Sequence, residues 1–197
     1  MTMTTPGAPT TSLAPASPAR PSALIAGVYQ VPLRSFGDDR GYFFETFRRA
    51  WIPEAREMIQ GNCSFSRAGV LRGLHYHLKQ ADLWNVPVGR VRAALYDFRP
   101  SSPTRGASEI VEMGEGSRVA LYIPKGVAHG FYALADSYMT YLVDEYYDNS
   151  DELGILWSDP ALGIDWGVPA GAAPSLSPRD QQNLPLDQIP ADRRPPR

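Results

Sequence analysis

Between residues 23 and 144 the chain is broken by Gly, Pro and Asp-containing turns at intervals of about 8–12 residues, and the stretches between them are rich in β-branched and aromatic side chains. Segments that short are brief for helices but sufficient for strands, where such side chains pack well on a pleated surface. Residues 24–32, 90–97, 120–123 (running into Pro124) and 138–144 read as strands. So does the aromatic run 42–49, which follows the turn Gly37-Asp38-Asp39-Arg40-Gly41 and carries Glu45 in its middle. Residues 51–58 read as a short helix: Pro53 is tolerated in a first turn, and Glu54, Ala55, Arg56 and Glu57 are reasonable helix formers. There is no heptad and no fixed repeat. The expected fold class is all-β, a sandwich or barrel with short peripheral helices.

Residues 1–22 are Thr, Pro, Ala and Ser almost throughout, too poor in apolar surface to offset the entropy of ordering, and read as a disordered tail. The Pro- and Arg-rich residues 188–197 read as a second, flexible one. Residues 23–187 remain as one folded domain. A net charge of -2 and a pI near 5.9 leave no broad basic face, so nucleic acid is not an expected partner. Cys63 stands alone and cannot form an internal disulfide, which suits a reducing compartment. No stretch approaches the roughly 20 apolar residues of a membrane span, and the first residues lack the pattern of an export signal. A cytoplasmic protein with no membrane partner is expected.

Only three histidines occur in 197 residues. Two stand in Gly69-Val70-Leu71-Arg72-Gly73-Leu74-His75-Tyr76-His77, and His129 lies in Pro124-Lys125-Gly126-Val127-Ala128-His129-Gly130. Alternation along a strand sends His75 and His77 to one face and Tyr76 to the other. One reading is proton chemistry by His75, with a carboxylate to fix its tautomer and stabilise its cation; spacing alone does not choose that carboxylate. A second reading is a metal. Gly69, His75, His77, Asp82 and Gly89 have the spacing of the first cupin motif with Asp in place of Glu, and Pro124-x-Gly126-x-x-His129 resembles the second, with Ala133 where Asn is usual. Three imidazoles and a carboxylate, from His75, His77, Asp82 and His129, suit iron, manganese or nickel. The spacing points to a cupin-like jelly-roll barrel, whether or not metal is bound. Arg40, Arg72 and Gln60-Gly61-Asn62 suit a phosphate or a nucleobase edge, and the Tyr141 phenol suits proton return to a carbanion.

Several strings then fit one family in order: Asp39-Arg40-Gly41-Tyr42-Phe43-Phe44-Glu45, Gln60-Gly61-Asn62-Cys63-Ser64, Gly73-Leu74-His75-Tyr76, Ile123-Pro124-Lys125-Gly126-Val127-Ala128-His129-Gly130-Phe131, Asp159-Pro160-Ala161-Leu162-Gly163-Ile164-Asp165-Trp166 and Leu176-Ser177-Pro178-Arg179-Asp180. From about residue 23 to 186 the chain resembles the dTDP-4-dehydrorhamnose 3,5-epimerases, sugar-nucleotide epimerases of deoxysugar pathways. The resemblance implies a metal-independent jelly roll with no cofactor and a nucleoside-diphosphate sugar as substrate. It implies His75 as base, Asp180 as its carboxylate partner and Tyr141 as proton donor. By position it assigns Arg40, Glu45, Gln60, Asn62, Arg72, His129, Glu152 and Arg179 to nucleotide, diphosphate and sugar. It also implies a homodimer that exchanges N-terminal strands.

The chain departs from that family at one place. Gln80-Ala81-Asp82-Leu83 lies where the family reads Gln-Gly-Lys-Leu, so Asp82 replaces the lysine that faces the enolate oxygen, and His77 replaces the usual Gln. A carboxylate there repels a developing enolate. Lys79 swinging in, a protonated His77 paired with Asp82, or a metal would each restore positive charge. Failing these, a metal-dependent cupin enzyme or a non-catalytic sugar-nucleotide-binding protein is the alternative.

Overall fold

Alternating burial shows how the strands arise. Along Gln60–Ser66 the residues Gln60, Asn62 and Ser64 are half-buried while Gly61, Cys63 and Phe65 are exposed, the period of two of a strand with one face inward. The computed structural model describes residues 17–196. The tail assignment for residues 1–16 lies outside the described residues.

In chain order the strands are β1 (Arg20–Pro21), β2 (Tyr29–Pro32), β3 (Ser35–Asp38), β4 (Gly41–Phe44) and β5 (Gln60–Ser66). β6 (Leu71–Tyr76), β7 (Asp82–Val88), β8 (Arg90–Asp97) and β9 (Ser108–Gly114) follow. β10 (Val119–Ile123), β11 (Val127–Ala133), β12 (Ser137–Val143) and β13 (Leu153–Gly154) complete them, and one short helix, α1 (Pro178–Gln181), comes late. Six strands form one sheet in the order β1-β2-β10-β7-β12-β5, and five form another in the order β13-β6-β11-β8-β9. Every pairing within these sheets is antiparallel. The chain passes from one sheet to the other at β5–β6, β6–β7, β7–β8, β9–β10, β10–β11, β11–β12 and β12–β13, the winding of a jelly roll. β3 and β4 form a separate hairpin.

The core lies between the two sheets, where Trp84, Leu121, Ile123 and Met139 meet Val91, Leu95, Val111 and Phe131. Both outer faces are covered as well. Trp51, Ile52 and Ala55 pack on Leu83, Ala120 and Tyr122 of the six-stranded sheet, and Ile155, Leu162, Trp166 and Ile189 pack on Leu71, Leu74 and Tyr76 of the five-stranded one. That double coverage is why β10, Val-Ala-Leu-Tyr-Ile, is buried along its whole length.

Three expectations need correction. Residues 51–58 do not form a helix: a 3-10 turn covers Arg49–Trp51 and irregular turns follow. A segment this short does not nucleate a helix unaided, and its conformation is set by burying Trp51, Ile52 and Ala55. Residues 24–32 become a strand only at Tyr29, while Arg20–Pro21, placed in the disordered tail, pairs with β2. The closing segment is docked: Ile189 is buried, Tyr76 Oη donates to the Arg193 carbonyl at 2.8 Å, and Arg194 Nε donates to the Ile189 carbonyl at 2.9 Å. Burying an isoleucine contributes about 2 kcal/mol, enough to hold a segment that composition marks as solvated.

Candidate active site

β6 and β11 pair in the middle of the five-stranded sheet with His75 directly opposite His129. The strands come so close that a Cβ on Gly73 would lie 2.8 Å from Gly130 Cα, and one on Gly130 would lie 2.6 Å from the Arg72 carbonyl oxygen. Glycine at both positions lets the two histidines stand side by side. The register then slips between His129 and Phe131, a bulge that re-aims side chains at the cavity wall. Tyr76 points the other way, into the outer cluster, as alternation requires.

His75 Nε2 lies 2.6 Å from Asp180 Oδ1. A carboxylate only accepts, so Nε2 carries the proton and Nδ1 keeps the lone pair. Asp180 sits in α1, whose first turn is capped by Ser177 accepting the Asp180 N–H at 3.0 Å, and the carboxylate is buried. Burial pushes the Asp180 carboxyl up, but hydrogen bonds from His75, Ser177 and Gly73 outweigh it and hold the group below the usual carboxylate range. Beside it, Arg179 Nη1 lies 2.6 Å from Glu152 Oε1, and Arg179 Nη2 donates to the Glu152 carbonyl at 2.8 Å.

Tyr141 stands on β12, across from Asn62 on one side and Trp84 on the other. Burial, and then the charges of Asp82 and Glu152, push its phenol above the ordinary value of 10.0. It therefore remains protonated near neutrality, the state a proton donor needs. His75 from one sheet and Tyr141 from the other line a single cavity of about 260 Å³. That lies near the small end for ligand pockets, enough for one sugar-sized ring.

Gln60, Asn62, Arg72, His129 and Glu152 line the same cavity. Gln60 Nε2 donates to Asn62 Oδ1 at 2.9 Å, and Arg72 is held by Ser66 Oγ at 2.9 Å and the Phe65 carbonyl at 3.0 Å. Arg179 and Asp180 stand behind the wall, in contact with Glu152 and His75. Arg40 and Glu45 are not brought in. The Arg40 side chain is 90% exposed on the β3–β4 hairpin and pairs with Asp38, and Glu45 pairs with Arg48 at 2.9 Å. Lys79 is also outside: its ammonium lies 3.1 Å from Asp148, toward solvent.

Asp82 is deeply buried with His77 and His129 around it, each Nε2 4.0 Å from Asp82 Oδ2. Burial pushes the Asp82 carboxyl up and the His129 imidazole well below its ordinary 6.5. The four residues with metal-ligand spacing thus divide, since His75 turns to Asp180 and the other three face one another. Two contributors escape sequence reasoning. Trp84 stands edge-on to His129 with ring centroids 5.1 Å apart, and Asp151 clamps the turn after His77 by accepting the N–H groups of Leu78 and Lys79 at 2.9 and 3.1 Å. The only trace of Asp151 in the sequence is an acid among loop residues, which many solvated loops share.

A jelly-roll barrel whose cavity is lined by a carboxylate-bonded histidine from one sheet and a tyrosine from the other has the groups that proton transfer at carbon requires. A family model described as dTDP-4-dehydrorhamnose 3,5-epimerase matches residues 22–188. The chain is 43% identical over 151 residues to a dTDP-4-dehydrorhamnose 3,5-epimerase of Neisseria gonorrhoeae, covering 74% of this chain and 45% of that protein. It is 41% identical over 153 residues to one of Shigella flexneri, covering 74% of this chain and 83% of that protein. It thus spans less than half of the Neisseria protein but most of the Shigella one. Among solved structures, a dTDP-6-deoxy-D-glucose-3,5-epimerase of Legionella pneumophila in complex with dTDP-4-keto-L-rhamnose superposes with a TM-score of 0.83 at 34% identity, covering 91% of this chain and 97% of that one. The chain belongs to the dTDP-4-dehydrorhamnose 3,5-epimerase family, and so to the isomerases.

Proposed function

We propose that the protein epimerises a dTDP-4-keto-6-deoxy sugar at C3, C5 or both, by proton transfer next to the C4 ketone. The observation that carries this reading is the placing of His75 and Tyr141 on opposite sheets with a ring-sized cavity between them. His75 Nδ1 takes the proton from the carbon, and the electron pair moves onto the C4 oxygen as an enolate. Asp180 stabilises the imidazolium that forms. Tyr141 returns a proton from the other ring face, which inverts the centre. The enolate collapses to the ketone, the His75 imidazolium gives up its proton to solvent and the Tyr141 phenolate takes one from solvent, so both groups return to their starting states.

Arg72, Gln60, Asn62 and Glu152 hold the sugar and the near phosphate, with Arg179 fixing Glu152 and His129 flooring the cavity. Arg40 and Glu45 act only across a dimer. Phe36, Tyr42 and Phe43 on that hairpin are 52%, 55% and 68% exposed, an apolar edge suited to lie against a second copy, carrying Arg40 toward the partner's cavity mouth. A cytoplasmic location fits the lone exposed Cys63, and no helix among the described residues is long and apolar enough to cross a membrane.

The test is incubation of dTDP-4-keto-6-deoxyglucose with the protein in deuterated water, followed by proton NMR of the sugar. Deuterium entering at C3 or C5 above the uncatalysed rate is the expected result. Tight binding with no exchange would leave a sugar-nucleotide-binding protein instead.

A further inference from the structure

His77, Asp82 and His129 each aim one ligand atom at a common point, and those atoms all lie within 4.8 Å of one another. Both imidazoles present a bare lone pair there. His77 Nδ1 is 3.0 Å from the Asp151 carbonyl and His129 Nδ1 is 3.0 Å from the Val127 carbonyl. A carbonyl can only accept, so in each neutral ring the proton sits on Nδ1 and Nε2 is left electron-rich. Two such nitrogens and a carboxylate therefore converge on the cavity floor, where lone pairs facing one another repel; Gln80 Nε2 donates to Asp82 only at 3.3 and 3.4 Å. Among the described residues no lysine or arginine comes within ion-pair distance of Asp82; its only such neighbours are the two histidines. A carbonyl behind the far ring nitrogen is the outer-shell support that fixes a metal-binding tautomer. Two imidazoles and one carboxylate are a donor set for first-row divalent ions, with ligand bonds near 2.0–2.2 Å that small side-chain adjustments reach.

We propose that His77, Asp82 and His129 form a site for one divalent first-row transition-metal ion on the floor of the catalytic cavity. All three line that cavity, so the ion lies beside the space for the sugar. Its role rests on the epimerase reading: it supplies the positive charge that an enolate at C4 needs, in a cavity whose floor presents the Asp82 carboxylate. His75 stays outside the ligand set and keeps its proton-transfer task, because its Nε2 is bonded to Asp180.

The full chain, stripped with a chelator and dialysed, is titrated with Co2+ while visible absorption is recorded, and with Zn2+ by calorimetry. One ion per chain is expected. Asp82→Asn and His77→Gln, each shown to be folded by circular dichroism, are expected to weaken binding by more than about 100-fold, beyond the range for outer-shell changes. Binding that neither variant alters, or no binding by folded wild type, overturns the site. Deuterium exchange on the same samples separates the two proposals. Exchange without ion binding overturns the metal site and leaves the epimerase reading standing, whereas ion binding through these residues without exchange sustains the site and counts against that reading.

Discussion

What stands behind each imidazole decides its use. His77 and His129 donate Nδ1–H to backbone carbonyls, while His75 donates Nε2–H to the buried Asp180 carboxylate. Of the three only His75 is hydrogen-bonded to a carboxylate, the partner that orients an imidazole and balances the charge it gains during proton transfer. Asp180→Asn keeps the shape and removes the charge. It is expected to lower kcat about 10²–10⁴-fold with little change in KM, as steady-state kinetics will show. The strings flanking His75 and Asp180 pointed to these two residues, and the fold brings them within 2.6 Å of each other. The cupin-motif spacing likewise grouped His77, Asp82 and His129, as the fold does, but did not reveal that His75 leaves that group for Asp180, since no local signal ties β6 to the helix at residues 178–181.

At the scale of elements, the turn after β8 hangs on one carboxylate. Asp97 is fully buried and accepts from Arg99 Nε at 2.8 Å, Ser102 Oγ at 2.5 Å and Thr104 Oγ1 at 2.7 Å. Burial pushes the Asp97 carboxyl up, but these bonds more than reverse the effect and its pKa is lowered. The unfolded chain then takes up the proton first, so the stabilisation is complete above the ordinary Asp value of about 3.9 and is lost as pH falls through the lower folded value. Urea midpoints measured against pH are expected to drop in that window, with a shallower acid limb in Asp97→Asn and a loss of roughly 3 kcal/mol near neutrality. Strands were readable wherever the pattern had a period of two or an unbroken apolar run, as in β5 and β10. Residues 51–58 misled because helix propensity is weak against the burial of Trp51 and Ile52.

Across the whole molecule, both sheets are covered on their outer faces, but the β3–β4 hairpin stands off with its aromatic side chains exposed. A dimer that sheathes this hairpin is expected by light scattering of the wild-type protein. Phe43→Glu is expected to yield monomer and to raise KM for the nucleotide sugar, with the fold retained by circular dichroism. Arg40 and Glu45 were named from their strings alone, and within one chain they lie outside the cavity. The C-terminal segment was equally opaque, because Pro and Arg content reports solvation and not the groove into which Ile189 fits. The most direct measurement is solvent deuterium exchange by His75→Asn and Tyr141→Phe beside wild type. His75→Asn should exchange no hydrogen next to the ketone, whereas Tyr141→Phe should exchange at the face of His75 without inverting the carbon. Undiminished exchange in His75→Asn, or normal inversion in Tyr141→Phe, would contradict the assignment of base and acid to these two walls.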